Sequence, residues 1–179
     1  MIAYIPLPEH ANPFLSVISS LMGQDMIDDV ICVRQGKVVP KEDRERHKII
    51  NKTYRKVIEL ALETDDDYCV MNNSGQMHKN EFGIERLHEF LEGNPKWGAV
   101  ALPAGDAVQS LEPGHVRFEC IMFRLCALRK FELEPYEGTF CATNSITKSF
   151  RKNGWKVGYL EGKNSHLQDL GKGFHERAE

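Results

Sequence analysis

Three short apolar runs, each followed by a helical pattern, constrain this chain more than any other feature. The first is Ile2-Ala3-Tyr4-Ile5-Pro6-Leu7, ended by Pro6 and Pro8. The second is Val30-Ile31-Cys32-Val33, stopped by Arg34-Gln35-Gly36; it is short and β-branched and reads as a central strand. The third, Tyr68-Cys69-Val70-Met71, ends in the turn cluster Asn72-Asn73-Ser74-Gly75. Between them, Asn12-Pro13 reads as an N-cap and first helical residue, and Phe14, Leu15, Val17, Ile18, Leu21 and Met22 recur at three- and four-residue spacing. Ile49, Ile50, Tyr54, Val57, Ile58 and Ala61 line a second helix, and Ile84, Leu87, Phe90 and Leu91 a third, closed by Gly93 and Pro95. Strand alternating with helix implies a mostly parallel central sheet flanked by helices, an α/β domain.

Later segments extend the pattern. Residues 97–102 form a fourth strand, and residues 103–116 a loop rich in glycine and proline. The mostly apolar stretch from Val116 to Arg129 holds a strand running into a short helix. Residues 130–141 are irregular; a fourth helix around Ile146 and Phe150 ends at Asn153-Gly154, and Trp155–Leu160 is a last strand. The expected division is one domain over residues 1–166 and a polar tail over 167–179.

The length is that of one domain of roughly 100–200 residues. With 41% hydrophobic and 27% charged residues, the composition excludes a disordered or fibrous chain. A net charge of −3 gives nucleic acid no support as a partner. The five cysteines form no Cys-x-x-Cys pair and lie in or beside apolar runs, so reduced, packed thiols and a cytoplasmic location are expected. No stretch of 18 apolar residues suggests a membrane span, and no basic-then-apolar N-terminal segment suggests a secretory signal.

In open sheets of this type, ligands bind beyond the carboxyl ends of the strands. The loops after Ile5, Val33 and Met71 are therefore the candidate walls. Pro6 and Pro8 make a rigid loop that can hold a flat ring; the plain alternative is a strand exit. Arg34 beside Gly36 can bind a diphosphate, or be a surface turn. Asn72, Asn73 and Ser74 can bond sugar hydroxyls or weakly assist a hydrated cation, or form a turn chosen for its backbone. Asp65-Asp66-Asp67 resembles a metal cluster by composition but precedes its strand, at the wrong end of the sheet. Glu137 lies in an irregular segment where a carboxylate can act as a base, and His166 follows the last strand; solvent exposure is the alternative for both.

Taken in order, these segments resemble the nucleotide-sugar glycosyltransferases of the A-type, Rossmann-like fold, family 2 in particular. The likeness starts at the first strand and at Ser20-Leu21-x-x-Gln24 before the second. It continues through the helix of residues 51–62 and the strand opened by Asp67-Tyr68, then through residues 78–101. Arg124-x-x-Ala127-Leu128 follows, and then the closing Gly154-Trp155 strand with its trailing His166. It covers residues 2–166.

The resemblance implies a nucleotide-sugar partner, an acceptor hydroxyl, and a divalent cation (Mn or Mg) under the diphosphate. It also marks departures. The family's aspartate after the second strand is replaced by Arg34-Gln35-Gly36. Its metal-binding Asp-x-Asp matches Asn72-Asn73-Ser74. Its base position falls in residues 140–144, with Glu137 nearby, while His166 matches a metal-binding histidine. Without the carboxylate pair a metal loses two anionic ligands, so weak or absent metal dependence is expected. The two readings are a transferase with Glu137 as base, and a non-catalytic module binding a nucleotide, a glycan or a protein partner.

Overall fold

The computed structural model describes residues 1–7, 15–34, 43–103, 116–136, 142–160 and 166–170. In chain order the elements are β1 (Ile2–Leu7), α1 (Leu15–Met22), β2 (Asp29–Arg34), α2 (Asp43–Leu62), β3 (Tyr68–Asn72) and β4 (Gln76–His78). After these come α3 (Gly83–Gly93), β5 (Trp97–Ala101), β6 (Cys120–Arg124), α4 (Leu125–Leu128), α5 (Asn144–Lys152), β7 (Lys156–Tyr159) and β8 (Leu167–Asp169). Six strands form one sheet in the order β2-β1-β3-β6-β5-β7; β4 and β8 form a second, two-stranded sheet. The β1–β2, β1–β3 and β5–β7 pairs are parallel, whereas β6 runs antiparallel to both β3 and β5. The expected α/β architecture, one domain with a mostly parallel sheet flanked by helices, is what forms.

Both faces of the sheet are covered. On one side α2, α4 and α5 pack through Val57, Ile58, Ala61, Leu125, Ile146 and Phe150 onto Tyr4, Cys69, Met71, Ile121 and Phe123. On the other, α1 and α3 pack through Val17, Leu21, Ile84, Leu87 and Leu91 onto Ala3, Ile5, Leu7, Val70, Val100 and Met122. Strand alternation sends neighbouring residues to opposite faces, so β3 and β5, buried at all five positions each, read as continuous apolar runs. The larger apolar ones, such as Val70, Met71 and Val100, each contribute about 1.5–3 kcal/mol when taken fully from water. The helices stop where their chemistry stops them: α5 ends at Asn153, followed by Gly154 at φ +78°, a left-handed conformation that glycine adopts without strain.

Several expectations need correction. β2 is an edge strand rather than a central one, with Asp29, Cys32 and Arg34 exposed. Its β-branched Val30 and Ile31 are half-buried, packed against the cores on opposite faces, but β1 is its one strand neighbour. Cys32 and Cys126 are exposed thiols; Cys69 and Cys120 are the packed ones. Leu167, just past the boundary expected at residue 166, is buried in the α1–α3 core, and β8 pairs with β4. The proposed N-cap at Asn12-Pro13 lies outside the described residues.

Close packing of α5 on the sheet makes Gly98 obligatory. A Cβ built there would stand 2.5 and 2.6 Å from the ring of fully buried Phe150. Gly98→Ala is expected to lower stability by about 1–3 kcal/mol through overpacking. Gly93→Ala, with nothing within 4 Å of its added methyl, should be neutral or stabilising by up to about 1 kcal/mol. Urea denaturation of the two variants checks the contrast; equal midpoints would show that the α5–β5 packing is wrong.

Candidate functional site

The carboxyl ends of β1, β2, β3 and β5 and the start of β6 meet at one edge. Leu7 pairs with Arg34, and Asn72 with Cys120. β1 lies between β2 and β3, so Arg34 and Asn72 stand two strands apart, about 10 Å by strand spacing. Alternation decides their sides. Val30 packs in the α1–α3 core, as do Tyr68 and Val70, so Arg34 and Asn72 both project toward that face. Pro6, flanked by Ile5 and Leu7 of the α1–α3 core, is buried and projects toward the α2 face. Gly36 and Glu137 lie outside the described residues. Asp65–Asp67 sit at the opposite end of the sheet, just before Tyr68.

Asn72 is fully buried, and its carboxamide is spent inside the protein. The Nδ2 group donates to the Gln76 carbonyl at 2.8 Å and the Asn73 carbonyl at 3.0 Å; Oδ1 meets His78 Nε2 at 3.2 Å. In this structure the side chain expected to meet a sugar hydroxyl shapes the turn. Asn73 is half-buried and accepts the Gly75 N–H on Oδ1 at 3.0 Å, an Asx turn, while its own N–H reaches the Glu119 carbonyl at 2.7 Å. Ser74 is buried in the same turn.

Below the turn two histidines are buried. Since Asn72 Nδ2 is the donor to two carbonyls, Oδ1 is the acceptor and His78 Nε2 carries the proton. Cys120 Sγ lies 3.8 Å from the same nitrogen. His78 Nδ1 then holds a lone pair without a donor, and Gly83 passes against it: a Cβ there would be 3.1 Å away. Burial first, and then the proximity of His166, push the His78 pKa down to about 4. His166 lies at the start of β8. Its Nε2 is 2.9 Å from Arg86 Nη1, its Nδ1 is 3.0 Å from Asn80 Oδ1, and its carbonyl accepts the Lys79 N–H at 2.7 Å. Burial and the Arg86 charge both lower its pKa.

Supporting residues escaped sequence reasoning as individuals. Ser20 Oγ accepts the His78 N–H at 3.1 Å; Gln24 donates to the Asn80 carbonyl at 2.8 Å and accepts the Ile84 N–H at 3.3 Å. The Ser20-Leu21-x-x-Gln24 pattern thus ties α1 to β4 and to the start of α3. On the opposite face, buried Asn51 of α2 donates to the Ala142 carbonyl at 2.5 Å and to Ser145 Oγ at 3.0 Å. It also accepts Arg55 Nε at 2.7 Å, and Arg55 Nη2 bonds the Glu134 carbonyl. These two residues grip both shoulders of the segment that carries Glu137.

Among the described residues no three His, Cys, Asp or Glu side chains converge as metal ligands. A cavity of about 140 Å³ beside the start of α3 is lined by Asp25, Glu81 and Glu85 with Gln24 and Phe82. Another of about 350 Å³, among Lys96, Lys130 and Trp155, lies at the far end of the sheet, before β5 and β7. No helix among the described residues is long and apolar enough to cross a membrane.

Neither a known protein-family model nor a curated protein sequence matches the chain. Solved structures do. The mannosyltransferase PcManGT from Pyrobaculum calidifontis, in complex with GDP-Man and Mn²⁺, aligns at TM-score 0.64 and 12% identity over 97% of this chain and 58% of its own. A197 from STIV aligns at TM-score 0.59 and 11% identity over 90% of this chain and 82% of its own. The CMP:2-keto-3-deoxy-manno-octonic acid synthetase complexed with CTP aligns at 0.56 and 9% identity over 90% and 89%. The fold is therefore that shared by A-type glycosyltransferases and nucleotidyltransferases.

Two outcomes follow. His78, neutral when folded, takes up its proton more readily once unfolded. Stability is thus complete above pH 6.5, its ordinary value, and falls as pH drops toward 4, by about 3 kcal/mol if the shift is fully expressed. His166 adds in the same direction, and His78→Gln should flatten the slope; chemical denaturation across this range reads it. Asn51→Ala strips partners from Arg55 and Ser145 and should cost about 1–3 kcal/mol; an unchanged unfolding midpoint would contradict the network.

Proposed function

We propose that the chain binds a nucleotide sugar at the carboxyl edge of β1–β3 and transfers the sugar to an acceptor hydroxyl in the cytoplasm. The observation that carries this reading is the sheet itself. Its six-stranded order and flanking helices align over nearly the whole chain with a mannosyltransferase holding GDP-Man, and its polar residues gather where ligands of such sheets bind. The chemistry of the strand ends assigns the parts. The loop after Pro6 receives the base, Arg34 and Gly36 the diphosphate, and Asn73 and Ser74 the sugar hydroxyls. Asn72 keeps the turn in shape.

In the reaction the anomeric carbon–oxygen bond breaks with its electron pair leaving on the nucleoside diphosphate. The acceptor oxygen bonds that carbon, and its proton passes to the Glu137 carboxylate. Charge stabilisation of the departing diphosphate is the largest catalytic need. Proton removal contributes about 10²–10⁴-fold.

The enclosed Asn72 side chain favours a second reading. With no carboxylate at residues 72–74 and the first amide of the three consumed internally, the fold can bind a nucleotide or glycan without turning it over.

Thermal shifts with UDP, GDP, CDP and their sugar conjugates, with and without manganese, separate these readings. Stabilisation by one sugar nucleotide with slow hydrolysis, reduced 10²-fold or more by Glu137→Gln while binding persists, is the expected result. Binding without turnover, indifferent to that substitution, leaves the binding module. No shift with any of them overturns both.

A further inference from the structure

We propose that Arg86, held by a neutral His166, joins Arg34 as a cation facing the diphosphate at this edge, and that the site takes its anion without a divalent metal. This deepens the nucleotide-sugar reading and rests on it for the identity of the anion's carrier.

The argument is one of lone pairs. A guanidinium only donates, so at 2.9 Å from Arg86 Nη1 the Nε2 of His166 must be the acceptor. Its Nδ1 then carries the proton and donates to Asn80 Oδ1, which also accepts the Phe82 N–H at 3.2 Å. Neither ring nitrogen keeps a lone pair for a metal, yet an imidazole binds a metal only through one. The neighbouring residues supply no replacement: Asn72 is closed off by its own turn, His78 Nε2 donates to it, and the lone pair left on His78 Nδ1 is buried against Gly83 with no second ligand beside it among the described residues. The divalent cation that the fold family implies does not fit these residues.

They fit an anion. Arg86 lies in the first turns of α3, its N–H on the Phe82 carbonyl at 3.1 Å, and its side chain reaches solvent. Among the described residues it forms no ion pair. One of its five N–H groups is spent on His166, and the others remain for a bidentate phosphate contact. His166, 7% exposed and pinned by β8 and the Lys79 N–H, fixes the direction of the fork. α3 covers the same face of the sheet toward which Arg34 and Asn72 project. The carboxylates of Asp25, Glu81 and Glu85 line a cavity of their own beside it.

The test uses the full chain and sodium pyrophosphate, titrated calorimetrically in EDTA. The wild type should bind saturably, with no tightening on replacing EDTA by Mn²⁺. Arg86→Ala should lose tenfold or more in affinity. Arg86→Gln, which can still donate to His166 but carries no charge, should lose nearly as much while melting like the wild type. Histidine NMR should show His166 protonated at Nδ1. Pyrophosphate that binds only with Mn²⁺, that ignores both substitutions, or that fails to bind in EDTA overturns the assignment. Pyrophosphate bound as expected while no sugar nucleotide binds would sink the transferase reading and leave Arg86 in place. Mn²⁺-dependent sugar-nucleotide binding indifferent to Arg86 would do the reverse.

Discussion

The carboxamide of Asn72 holds the end of the sheet together. It lies where β3 stops and the antiparallel β6 starts, and its three bonds define everything beyond. Two carbonyl contacts shape the turn of residues 73–76; the third fixes the ring of His78 and with it β4. β4 in turn receives Ser20 from α1 and pairs with β8, which carries His166 to Arg86. A buried polar group left unpaired costs about 1–3 kcal/mol, so such a network forms whole or is costly.

This also explains why an aspartate would not do there. A carboxylate cannot donate to the Gln76 and Asn73 carbonyls; it would face two oxygens in a site closed to water, and burying that charge is prohibitive unless a cation joins it. Amide and acid are isosteric, but only the amide satisfies this turn without a metal. The amide at position 72 thus has a defined structural use.

Much of the architecture was legible because it rests on periodicity. The α2 face of Tyr54, Val57, Ile58 and Ala61 and the runs that became β1, β3 and β5 are local signals. β4 and β8 were not legible: three residues each, and polar at Gln76, His78 and Asp169, they exist because they pair with each other across the fold. The site's supports were hidden for the same reason. Ser20 to His78 spans 58 residues, Gln24 to Ile84 spans 60, and Asn51 to Ala142 spans 91, and no window along the chain contains both partners. The apolar pattern of β2 could not reveal that it has only one covered strand edge, nor that Cys32 faces water.

Charge counting gives the two histidines their meaning. Two carboxylates with a divalent cation sum to neutrality, and two amides with the guanidinium groups of Arg34 and Arg86 sum to two positive charges. Either set can meet a diphosphate, but they respond differently. A metal is recruited from solution and is lost to a chelator; Arg86 is part of α3 and is aimed by a neighbour whose burial keeps it neutral. Its delocalised charge is weakly hydrated, so less is given up on meeting a phosphate than for a compact ammonium. The cost moves elsewhere, into burying two imidazoles under one turn, one of them with a lone pair that has no hydrogen-bond partner and lies against Gly83. A side chain at that glycine would press on His78 and touch His166, so the start of α3 is fitted closely to the turn that ends β3.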